Sequence, residues 1–236
     1  MVDLSRFFSA YPGTFVLLEP SGRIVRHAKD RASRRLPPCS TFKIFNTLAG
    51  LEAGAVADES SAFKWSGEPK PIKSWERDHS LASAVADSVV WYFQEVASRV
   101  GLERMQLYID RVGYGNRDLS GGLTTFWLGD HASLEISADE QVAFLNRLYR
   151  DELPFSPRSM EIARRILVLE KTGEVELSGK TGSLLKGGRF LLGWFVGRVK
   201  KGDASWVFAV NIEGEGASGF EAKALAKDIL HELNVL

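Results

Sequence analysis

The chain has one cysteine, Cys39, so no internal disulfide can form and cysteine usage leaves the redox compartment open. It has no net charge either, because 30 Lys and Arg balance 30 Asp and Glu. The two signs are interspersed with no basic stripe, which excludes nucleic acid as the expected partner. No apolar run approaches the ~18 residues of a membrane span. The opening stretch, MVDLSRFFSAYPG, lacks the basic start and continuous apolar segment of a signal peptide. Two readings follow: a cytoplasmic protein, or an exported one whose signal has been removed. His27, His79, His131 and His231 show no paired ligand spacing, so no metal is expected.

What is there is an ordinary globular composition. The 236 residues are 44% hydrophobic and 25% charged, enough for one larger domain or two closely packed lobes. TFVLLEP and RIVRHA flank Ser21-Gly22 and read as a hairpin. A long element starts near Ser40 and ends at Gly54, apolar over most of its circumference and therefore central. VVWYFQEVASRVG and LERMQLYIDRVG read as helices closed by glycine. Ser137 to Glu140 is a capping box opening another helix, and Ser156-Pro157 opens one expected to run to about Glu170. From Glu174 the pattern turns to strands, EVELSGKTGS, RFLLGWFVGRV and SWVFAVNIE, before a last amphipathic helix. The expected fold is α+β. Residues 1–35 and 174–236 would build an antiparallel sheet flanked by helices, and residues 36–173 a helical lobe, with a cleft between them in one structural unit.

Ser-x-x-Lys occurs three times, at Ser40–Lys43, Ser61–Lys64 and Ser183–Lys186. The second lies in a polar, proline-rich stretch, and the third follows a strand and leads into a glycine loop. Only Ser40 and Lys43 open a buried helix, where residues three apart share a face and free N–H groups can stabilise an oxyanion. A buried lysine loses its charge readily and can serve a serine as base; the alternative is a lysine that snorkels outward. Cys39 beside Ser40 reads either as a nucleophile or as a buried thiol. Downstream, SGKTGS (residues 178–183) offers a cation and a hydroxyl on a strand of small residues that a substrate can approach closely. The second Lys-Thr-Gly, at Lys171, reads as a connection from helix to strand.

S-x-x-K with a later K-T-G is the signature of active-site-serine β-lactamases and penicillin-binding proteins. STFK, then Ser88-Val89-Val90, Tyr114-Gly115-Asn116 and KTG in that order resemble the class D, oxacillinase-type β-lactamases. PCSTFKI, KWSG, RDHSL, SVVWY, YGNRDLSGG, FWLG and GWFVG extend the resemblance along nearly the whole chain.

The resemblance implies that a small-molecule β-lactam is the substrate and that Ser40 is acylated. It implies that Lys43 takes up carbon dioxide, from bicarbonate, as an N-carboxylated general base, with no other cofactor. Ser88 and Lys180 would assist proton transfer to the leaving nitrogen, and the backbone N–H groups of Ser40 and Ser183 would form the oxyanion hole. Thr181, Gly182, Tyr114 and Asn116 would meet substrate, the last two as cleft wall or else as a structural turn. Phe42, Val90 and Trp127 would line the modified lysine's pocket, Trp127 alternatively as plain core packing. A periplasmic or secreted location is implied, the export signal having been removed. The stretch NIEGEGASGFEAKALAKDIL lacks the arginine that many members place there for the substrate carboxylate. Lys180 with Thr181, or Lys223, would replace it. The rival reading is a β-lactam sensor of the same fold that acylates without turnover; the apolar Val90 favours the hydrolase. A cell-wall peptidase would want S-x-N, and a plain binding module leaves the ordered motifs unexplained.

Overall fold

Strict alternation of buried side chains sets the sheet: Phe15 and Leu17 point to one face, Val16 to the other. The computed structural model describes residues 2–236. Its strands are β1 (Gly13–Leu18), β2 (Ile24–His27), β3 (Ala62–Phe63), β4 (His79–Ser80), β5 (Val168–Thr172), β6 (Val175–Lys186), β7 (Arg189–Lys201) and β8 (Ala204–Glu213). The helices are α1 (Lys29–Ala32), α2 (Lys43–Glu52), α3 (Leu81–Ala86), α4 (Val90–Val100), α5 (Leu102–Val112), α6 (Ala138–Tyr149), α7 (Pro157–Ile166) and α8 (Gly219–Glu232).

All strands but β3 and β4 form one antiparallel, six-stranded sheet in the order β2-β1-β8-β7-β6-β5, so both termini contribute to it as expected. One face carries Phe15, Leu17, Phe195, Phe208, Val210 and Ile212 and packs on α8 through Ala222, Ala226 and Ile229. The other carries Val16, Trp194, Val196, Val207 and Ala209 against the helical part of the chain. Helix α2 is buried from Lys43 to Leu51, with its neighbours α4 and α7 packed around it. The capping boxes at Ser80 and Ser137 start α3 and α6, since each serine accepts an orphan N–H three residues on.

Three expectations are corrected. Helix α7 ends at Ile166, not near Glu170, because the chain re-enters the sheet at Val168 as the edge strand β5. Lys171 and Thr172 therefore close a strand, with exposed side chains, and the turn at Gly173 (φ +58°) leads into β6; they are not a connection from a helix. Ser183 to Lys186 lies inside β6 rather than after it, and on a strand residues three apart point to opposite faces. That copy of Ser-x-x-Lys cannot act as a pair.

Candidate active site

The turn before α2 brings the nucleophile's neighbourhood into shape. Residues Cys39–Phe42 form a 3-10 turn that continues into α2, with Cys39 at φ +51°. In this geometry the Lys43 Nζ donates to the Ser40 Oγ at 2.7 Å. Ser40 is half-buried, whereas Lys43 is 0% exposed, so it does not snorkel. Burial, aided by the positive charge of Lys180, holds the Lys43 ammonium well below the ordinary lysine range. An amine so placed is available in neutral form near Ser40. The Cys39 thiol is buried and pushed up to about 12, which leaves it an inert core group.

A second pair completes the constellation. Ser88 lies between α3 and α4 at φ +56°, a left-handed conformation rare for serine. The turn is clamped from outside: Trp75 Nε1 donates to the Asp87 carbonyl at 2.9 Å and Arg77 pairs with the Asp87 carboxylate at 2.8 Å. Lys180, on β6 and 5% exposed, donates to the Ser88 Oγ at 3.0 Å and to the Thr181 carbonyl at 3.1 Å. Burial, and then repulsion from Lys223, bring its pKa down to about 7. Two buried lysines whose charged forms are both disfavoured, each bonded to a serine hydroxyl, can pass protons to and from a reacting bond.

Strand β6 runs past the nucleophile at backbone distance. A Cβ on Gly182 would lie 3.0 Å from the Pro38 carbonyl oxygen and 3.2 Å from the Ser40 nitrogen. The small residues of SGKTGS thus permit this approach. Alternation sends Lys180 and Gly182 toward Ser40 and Ser88 and sends Thr181 and Ser183 toward α8. The Ser183 hydroxyl accepts the Gly219 N–H at 2.8 Å, so its side chain serves the start of α8. Lys223 pairs with Glu170 at 3.8 Å, beside Lys227, and is only partly committed.

Tyr114 and Asn116 take the structural of their two readings. Tyr114 is 1% exposed, packed edge-on against Phe42 and Phe45, so it lies inside the core rather than on the cleft wall. Asn116 gives its amide to the Ser133 carbonyl at 2.8 Å and accepts the Glu135 N–H at 2.9 Å, which ties the long loop after α5 to the segment before α6. Trp127 is fully buried and packs on Phe42, centroids 5.3 Å apart, yet its Nε1–H has no partner. Val90, half-buried, opens α4, and Phe93 on the same helix lies 5.7 Å from the Lys43 Nζ. Trp127 thus carries an orphaned N–H donor while packed on Phe42, the residue that precedes Lys43.

Sequence reasoning missed the residues that support these side chains. Asn46 donates to the Phe93 carbonyl at 3.0 Å, Gln141 to the Thr41 hydroxyl at 2.8 Å, and Trp75 holds the Ser88 turn. Gln141 and Thr41 are 100 positions apart, so no local pattern joins them.

Together the fold and the paired serine–lysine constellations define a penicillin-recognising serine enzyme. Residues 13–231 match the penicillin binding protein transpeptidase domain family. The chain is 41% identical to the probable β-lactamase YbxI of Bacillus subtilis, over 97% of this chain and 84% of that one. It superposes on the class D β-lactamase BAT-2 with TM-score 0.94 at 38% identity, covering 100% of this chain and 97% of that one. The C-terminal domain of the Bacillus licheniformis BlaR penicillin-receptor is similar too, with TM-score 0.94, 34% identity, and coverage of 100% and 96%. The chain belongs to the class D β-lactamase family.

Proposed function

We propose that this protein hydrolyses the β-lactam amide in two steps through an ester on Ser40. The observation that carries the proposal is the 2.7 Å contact between a fully buried Lys43 and Ser40. In the first step the Ser40 Oγ attacks the lactam carbonyl while its proton passes to the Lys43 side chain. Charge developing on the carbonyl oxygen would be met by the backbone N–H groups of Ser40 and Ser183. The Ser88 hydroxyl, held by Lys180, would deliver a proton to the departing nitrogen. In the second step the Lys43 end activates water against the ester. N-carboxylation of Lys43 by carbon dioxide would supply a carboxylate-like base with greater reach than the free amine. Trp127 and Val90 would hold and shield that end. A periplasmic or extracellular site of action is proposed with this function; among the described residues no helix is long and apolar enough to cross a membrane.

The test is turnover of a penicillin with and without bicarbonate, paired with carbon-13 NMR after labelled bicarbonate. A carbamate signal lost in Lys43→Ala, together with bicarbonate-dependent turnover, supports the proposal. Full activity with no signal would mean that Lys43 works as a free amine. A second reading, acylation without release, is favoured by the likeness to the BlaR receptor domain.

A further inference from the structure

The segment leading to the nucleophile is stitched at three levels to the start of α6. Arg35 pairs with Glu140 at 2.6 Å. Leu36 and Ile136 form an isolated antiparallel bridge, exchanging N–H···O bonds of 3.0 and 2.9 Å. Deepest, Gln141 (0% exposed) donates its amide N–H to the Thr41 Oγ1 at 2.8 Å, and that hydroxyl donates to the Pro38 carbonyl at 2.7 Å. The same carbonyl accepts the Thr41 backbone N–H at 3.1 Å. Pro38 and Thr41 flank the left-handed Cys39 and the amide of Ser40, so this carbonyl fixes the turn that carries the amide. The Tyr114 hydroxyl is buried beside Gln141 and Thr41 on the far side.

Resting on the reading of Ser40 as the acylated serine, we propose that Gln141 is a positioning residue for acylation. It acts through Thr41 on the Pro38 carbonyl, keeping the Ser40 N–H where the oxyanion forms. Gln141 never touches substrate. Three features argue for this role over plain core filling. The chain of bonds ends on the nucleophile's own turn. Strand β6 passes that turn so closely at Gly182 that even an added Cβ would crowd the Pro38 carbonyl and the Ser40 nitrogen. Finally, a buried amide is a costly way to fill space unless its bond serves something.

The experiment measures penicillin acylation by quenched-flow mass spectrometry, resolving the binding constant from the acylation rate. Gln141→Met keeps the volume and removes the donor; Thr41→Val keeps the branched shape and removes the hydroxyl. Each should slow acylation about 10- to 100-fold while binding changes less than about 3-fold, since a 1 Å misplacement costs on the order of 100-fold. The double variant should be no slower than the slower single one, because both cut one chain. Thr41→Ser, which keeps the hydroxyl, should retain the rate. Unchanged acylation in folded Gln141→Met, or losses that multiply in the double variant, would overturn the proposal. If Gln141→Met does not fold, Thr41→Val against Thr41→Ser decides it: equal rates overturn, a slow valine and a fast serine support. Labelling that persists in Ser40→Ala overturns the nucleophile assignment and the proposal together. Absence of that labelling, with unchanged Gln141→Met and Thr41→Val, overturns only the role of Gln141.

Discussion

Replacing Gly182 by alanine isolates the close approach of β6 to the nucleophile. Gly182 is not among the positive-φ glycines, so alanine adopts its backbone without strain and only space is at issue. The new Cβ would meet the Pro38 carbonyl oxygen at 3.0 Å, the Ser40 nitrogen at 3.2 Å and the Thr41 Cγ2 at 3.2 Å. Ordinary contact begins near 3.4 Å, so the neighbours must yield by about 0.2 to 0.4 Å. Two of the three are backbone atoms of the turn that carries Ser40 and cannot rotate aside. If that displacement passes fully to the Ser40 amide, acylation should slow roughly 3- to 6-fold, on the scale where about 1 Å costs about 100-fold. Overpacking should cost about 1–3 kcal/mol of stability. Gly182→Val, which adds bulk against the same atoms, should lose more than about 100-fold. Stopped-flow acylation with a chromogenic β-lactam, alongside thermal unfolding, reads both effects. Wild-type acylation rates in alanine and valine variants would refute the reasoning, even if both melted at lower temperature.

Trp127→Phe removes the unpartnered buried N–H together with part of a fully buried ring, so it should lower thermal stability by about 1–3 kcal/mol through the cavity left, while turnover falls and bicarbonate dependence sharpens; melting curves and a bicarbonate titration check this. Val90→Asn puts a polar group at the start of α4 and should slow release more than acylation, seen as adduct building up in intact-mass spectra. Lys180 has an ordinary pKa of 10.5 when unfolded and about 7 when folded. Between these values the unfolded chain holds the extra proton, so stability rises with pH, by about 1.4 kcal/mol per unit and up to about 5 kcal/mol in all. Below pH 7 the full penalty of burying the ammonium is present. Denaturant titrations of Lys180→Met across that window should show a slope smaller by about one proton.

The sheet was legible because its strands alternate faces over long stretches, and α2 because its apolar residues surround it. Ser40, Lys43, Ser88 and Lys180 stood out because each sits in a short motif whose order along the chain carries meaning. Two things were hidden for physical reasons. Strand β5 reads as more helix because all five of its residues are exposed at the sheet edge, so no buried face marks a period of two. Tyr114 reads as a site residue because it belongs to a motif, but whether a tyrosine faces a cleft or a core depends on Phe42, Phe45 and Phe144 arriving from distant parts of the chain. The Gln141–Thr41 bond was invisible for the same reason: it is made by tertiary packing alone.

The central claim is that Ser40 is acylated and then released. The most direct measurement is an intact-mass time course with excess penicillin, followed by peptide mapping of the adduct. The expected result is an adduct on the peptide containing Ser40 that forms quickly, holds a steady level while substrate lasts, and disappears once it is consumed, with Ser40→Ala silent throughout and Ser61→Ala and Ser183→Ala still labelled. An adduct that persists after substrate is gone, or one that maps to any other serine, would contradict it.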